Sequence, residues 1–95
     1  MVTEYMVEKL LQPVRLELER AHGLDADWVI IVDEDRRGIQ LIEVRLDIQR
    51  DAKLTVDDIQ AIRARIKECL TYNEDTAPYF PFVMFNVTSP RNRVS

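Results

Sequence analysis

The chain has 95 residues, 46% apolar and 32% charged, a balance that excludes disorder for its body and fits one domain around one hydrophobic core. Acidic residues outnumber basic ones by 17 to 13, and a net charge of −4 repels phosphate backbones, so nucleic acid is not an expected partner. The single cysteine, Cys69, excludes an intramolecular disulfide and a thiolate zinc cluster within one chain. The start, Met1-Val2-Thr3-Glu4-Tyr5, lacks the basic segment and long apolar stretch of a signal peptide. The longest apolar run, Trp28 to Val32, has five residues, far short of a membrane span. A cytoplasmic protein without membrane insertion is the expectation, and no motif calls for a cofactor.

The first segment, Thr3 to about His22, reads as a helix. Thr3 is suited to cap it, with Glu4 favourable beside the positive end of the helix dipole. Val7, Leu10, Leu11, Val14, Leu18 and Ala21 recur at helical spacing, and Gly23 supplies a stop. Pro13 removes one helical hydrogen bond at a cost of roughly 3 kcal/mol. That leaves a kinked single helix or a break at Gln12; the alternation of Val14, Leu16 and Leu18 also fits a short strand.

Two strands follow. Trp28-Val29-Ile30-Ile31-Val32 is apolar throughout, as in a strand covered on both faces or placed at the centre of a sheet. The polar stretch Asp33 to Gly38 reads as a hairpin connection. The second strand runs from Ile39 to about Gln49 and alternates from Ile42: Ile42, Val44, Leu46 and Ile48 face one way, Glu43, Arg45, Asp47 and Gln49 the other. Ile39 and Leu41 have the wrong parity for the apolar stripe, which a bulge near Leu41 would reconcile.

The second helix is expected from Val56 to about Leu70. Thr55 and Asp58 have the spacing of a capping box, and Leu54 and Ile59 that of a hydrophobic staple. Val56, Ile59, Ile62, Ile66 and Leu70 form its apolar stripe. After a polar loop, Thr71 to Pro78, the third strand runs from Tyr79 to Val87. Pro81 confines at least its start to a sheet edge or to the strand's beginning. Residues 1–88 are thus expected to form one domain and residues 89–95 a frayed C-terminal tail.

The order α-β-β-α-β predicts a two-layer α+β domain, with two helices on one face of a three-stranded mixed sheet. A right-handed crossover through the second helix sets the third strand parallel to the second. A central all-apolar first strand gives the spatial order 2-1-3.

Such a sheet has one face without helices, and the strands are too apolar for it to be polar throughout. The first strand offers that face either Val29 and Ile31 or Trp28, Ile30 and Val32. The third offers either Phe80, Phe82 and Met84 or Val83, Phe85 and Val87. Burying each large apolar side chain is worth about 1.5–3 kcal/mol, so the patch calls for a cover. A second copy is the expected one, making the protein a homo-oligomer; the first helix after its kink, the tail or another protein are the alternatives. The contact is expected to centre on the third strand, at Phe80, Phe82, Met84 and Phe85.

Chemistry-bearing residues are few. His22, Asp25 and Asp27 lie close enough in sequence to offer a divalent metal three ligands, although their spacing also fits a helix end followed by ordinary loop residues. Arg63 falls inside the apolar arc of the second helix, where it ligates an anion, pairs with a carboxylate or extends its head outward. Tyr72 and Tyr79 flank the loop after that helix and are candidates, with Arg63, to line a ligand pocket, or simply to pack. Cys69 reads as a small packed thiol. There is no phosphate-binding glycine loop and no nucleophile elbow, so an enzyme would need a polar pocket joining Arg63, Tyr72 or His22 to a carboxylate.

The alternation Val44-Arg45-Leu46-Asp47-Ile48, the approach Lys53-Leu54-Thr55 and the capped start Val56-Asp57-Asp58 resemble the cytoplasmic domain of cation diffusion facilitators across Val44 to Leu70. The element order is also that family's. The resemblance implies a small two-layer fold that dimerises and, in many members, binds metal. The family's metal-binding histidines are absent, since Ile59, Gln60 and Ile62 occupy the matching region, so no metal residue carries over. The function expected from the sequence is therefore a small cytoplasmic self-associating interaction module, with a metal- or small-ligand-responsive domain and a small enzyme as alternatives.

Overall fold

The computed structural model describes residues 1–50 and 52–88. Its elements are α1 (Glu4–His22), β1 (Ala26–Glu34), β2 (Gln40–Gln49), α2 (Val56–Tyr72) and β3 (Phe80–Thr88), an α+β order of α-β-β-α-β. The tail expected at residues 89–95 lies outside the described residues.

α1 is one continuous helix. The Thr3 hydroxyl accepts from the Met6 amide, and Gly23 ends the helix in the left-handed region at φ 64°. Pro13 lies on the exposed side, where the helical carbonyl it leaves without a donor can turn to water. Val7, Leu11, Val14 and Leu18 are buried; Ala21, counted in the same stripe, is exposed.

α2 starts on a complete capping box. Asp58 N donates to the Thr55 hydroxyl at 3.0 Å, and Thr55 N donates to the Asp58 carboxylate at 3.0 Å. Ile62, Ile66 and Leu70 carry its buried face. Val56, expected in that stripe, is 71% exposed. At the other end the buried Thr76 hydroxyl donates to the Leu70 carbonyl at 2.6 Å, satisfying one of the acceptors a helix C-terminus leaves over.

The sheet corrects one expectation. Its order is β1-β2-β3, with β2 central, and not 2-1-3. β1 pairs antiparallel with β2, and β3 pairs parallel with β2, as the crossover requires. The apolar run Trp28 to Val32 reports how many faces of a strand are apolar. It does not report how many neighbours the strand has.

No bulge is needed at Leu41. The β1–β2 register runs unbroken from Ala26↔Ile48 to Glu34↔Gln40, and Leu41 simply points to the other face. The connecting turn is built on Asp35. Its carbonyl accepts from Gly38 N, and its carboxylate accepts from the amides of Arg37 and Ile39. Gly38 has φ 82°, the left-handed position that closes such a three-residue loop.

Both helices lie on one face, α1 over β1 and α2 over β3, and touch each other. The core between the layers contains Ile42, Val44, Leu46 and Ile48 of β2, with Ile30 and Val83 beside them. On the outside Arg65 bridges the helices through a two-pronged pair with Glu17 at 3.0 and 3.2 Å.

Candidate functional site

The register fixes what the helix-free face of the sheet presents. Its rows across β1, β2 and β3 are Asp33–Leu41–Phe80, Ile31–Glu43–Phe82, Val29–Arg45–Met84 and Asp27–Asp47–Asn86. The first three rows carry six apolar residues, Val29 and Ile31 on β1, Leu41 on β2 and Phe80, Phe82 and Met84 on β3, with Glu43 and Arg45 between the two edge strands. Phe80, Phe82 and Met84 remain 57%, 44% and 37% exposed. Among the described residues no element covers them, and α1 in particular lies on the opposite face.

Phe85 is not part of this surface. It shares a row with Trp28 and Leu46 on the helix side and packs against the core. The expected contact set Phe80, Phe82, Met84 and Phe85 thus divides, because strand residues of opposite parity point to opposite faces.

The polar residues of the face differ in how well they are satisfied. Arg45 donates to Asp47 through Nε at 3.1 Å and Nη2 at 3.4 Å, and Asn86 Nδ2 donates to the same carboxylate at 3.1 Å. Glu43 is half-buried between Ile31 and Phe82, with no hydrogen bond or ion pair to any described residue. The alternation of β2 marks this side of the strand only as polar. The Arg45–Asp47 spacing along one strand face was the available signal that part of it is internally paired.

The edges of the sheet are guarded. Arg15 of α1 lies over the Trp28 ring at 5.6 Å and donates to the Ala26 carbonyl at 3.5 Å, while Glu4 accepts from Val32 N at 3.3 Å. On the other edge Arg63 of α2 lies over the Phe85 ring at 5.2 Å and donates to the Val83 carbonyl at 3.4 Å. Arg63 thus reaches the β3 edge through its Nε and its ring contact.

The remaining candidates do not converge. Tyr72 is 81% exposed at the end of α2, whereas Tyr79 is half-buried against the core. Tyr79 lines a hollow with Val2, Glu4, Val32 and Gln40, which neither Arg63 nor Tyr72 reaches. His22 Nδ1 lies 2.9 Å from Asp58 Oδ1, tying the end of α1 to the cap of α2. The Thr55 amide first, and then the His22 imidazole, hold the Asp58 carboxyl below its ordinary range.

His22 and Asp25 share a cavity of about 310 Å³ that no described hydroxyl or thiol lines, and Asp25 also borders an adjoining hollow with Asp27 and Asp47, which His22 does not line. Among the described residues no group of three His, Cys, Asp or Glu side chains is placed to hold a metal ion, so His22, Asp25 and Asp27 do not form the expected centre. Burial pushes the Cys69 thiol up, away from the thiolate a nucleophile needs. No described helix is long and apolar enough to cross a membrane. No protein-family model, no curated protein and no solved structure matches this chain.

Proposed function

We propose that this chain is a self-associating interaction module in which a second copy covers the open face of the sheet. The observation that carries this reading is the patch of Val29, Ile31, Leu41, Phe80, Phe82 and Met84 on a face that no described element covers. Monomers seldom leave this many large apolar side chains of one face open to water. The guarded edges add to the case: Arg15, Glu4 and Arg63 occupy edge carbonyls and amides on which another strand would pair, so association is directed to the face. Two-fold homodimers are the commonest assembly that buries such a surface. The resemblance to the cytoplasmic domains of cation diffusion facilitators, which dimerise, points the same way and agrees with a cytoplasmic setting.

Light scattering on a size-exclusion column across the micromolar range is expected to give the mass of a dimer. Phe82→Asp should give a folded monomer, because Phe82 lies outside the core. Phe85→Asp should lose the fold itself, because Phe85 packs against that core. A wild-type protein that stays monomeric across the range overturns the reading and assigns the face to another protein or to residues 89–95.

A further inference from the structure

We infer that the second copy docks about a two-fold axis running across the strands at the level of Val44, so that Glu43 of each copy pairs with Arg45 of the other. This rests on the self-association proposed above and specifies its geometry.

The argument starts from Glu43. A half-buried carboxylate between Ile31 and Phe82, with no described partner, loses its water when that face is covered. Covering it with an apolar surface would strand a charge, which is strongly unfavourable. The occupant must therefore bring a cation to Glu43 at the middle of the patch.

This chain carries such a cation on the same face. Arg45 stands two residues along β2 and is already oriented by Asp47 through Nε and Nη2, which leaves Nη1 without a described partner. A guanidinium held at one side in this way can accept a second carboxylate with little further ordering.

Symmetry then selects the arrangement. With the strands of two stacked sheets aligned, an axis along β2 sets Glu43 against Glu43 and Arg45 against Arg45, which repel. An axis across the strands at Val44 sets Glu43 against Arg45 twice, as an isologous contact requires. The same operation lays Phe82 of one copy over Met84 of the other, and Ile31 over Val29, since these residues occupy the flanking positions of the same two rows. Aromatic–sulfur and aliphatic contacts then enclose the charge pairs. The outer rows face each other as well, Asp33 against Asp27, Leu41 against Asp47 and Phe80 against Asn86, at the two ends of the contact where water remains.

The test uses two charge-reversed full-length chains, Glu43→Arg and Arg45→Glu. Alone, each places like charges opposite each other at both contacts and should be a folded monomer. Mixed in equal amounts, they restore two attractive contacts and should form a heterodimer, read as a dimer mass by light scattering and as a mixed species by native mass spectrometry. If the wild type is a dimer but the variants also dimerise alone, or fail to pair when mixed, this register is wrong while self-association stands. If the wild type is a monomer, self-association itself falls. Should Arg45→Glu fail to fold, Glu43→Gln and Arg45→Gln probe the same contact. Each should raise the dimer dissociation constant about tenfold, and the double variant little further, because both remove one shared interaction. Fully additive losses would overturn the pairing.

Discussion

At the scale of single residues, Asp58 does two jobs with one carboxylate. It completes the cap of α2 by accepting from Thr55 N, and it holds His22 at the end of α1. Both contacts favour the ionised form, and its pKa is lowered on folding, with the Thr55 amide as the leading cause. A carboxyl whose folded value lies below its unfolded value stabilises the fold at pH above the unfolded value. That contribution is lost as pH falls through the folded one. Asp58→Asn should therefore melt at a lower temperature than wild type near neutral pH, and the gap should narrow on acidification well below about pH 4. Thermal unfolding followed by circular dichroism at both pH values checks this. A gap that persists in acid would assign the loss to shape and not to charge.

At the scale of elements, the helices do more than cover one side of the sheet. Each sends an arginine over an aromatic ring of the nearest edge strand, Arg15 over Trp28 and Arg63 over Phe85, and each arginine reaches an edge carbonyl. The two rings stand on either side of Leu46 in one row, so the devices match across the sheet. The hydrogen bonds are long, and stacking on the ring supplies most of the attraction. Arg63→Ala should cost about 1 kcal/mol and uncover the β3 edge. Urea unfolding measures the first effect, and turbidity during heating the second. A variant as stable and as slow to aggregate as wild type would deny Arg63 this role. Arg63 drew attention in the sequence because it interrupts an apolar arc. Its target was not legible, since the Val83 carbonyl reaches it only once β3 lies beneath α2.

At the scale of the whole molecule, β2 is the element on which everything else converges. Ile42, Val44 and Leu46 are fully buried, β1 and β3 pair on either side, and both helices close over the same face. Leu46→Ala should cost about 2–5 kcal/mol through lost burial and the cavity it leaves. That is a large part of the total stability of a domain this size. Chemical denaturation is expected to show a lower midpoint with a similar slope. A loss below about 1 kcal/mol would mean that the core collapses around the gap more readily than its packing implies.

The sequence by itself determined the elements and much of their packing. Period-2 alternation marks β2, period-3.6 stripes mark the helices, and the Thr55–Asp58 spacing places the start of α2, because these signals act between residues near in sequence. It also implied that whichever sheet face the helices leave open carries apolar residues, since the alternating residues of β1 and β3 are apolar on both parities. Only the tertiary structure decided which strand is central, which parity of β3 is open and which polar groups find partners. Those are consequences of register, set by hydrogen bonds between residues far apart in sequence. Register puts Phe85 under α2 and Phe82 beside Glu43, and it leaves that carboxylate without a partner among the described residues. Composition and periodicity carry no record of such pairings.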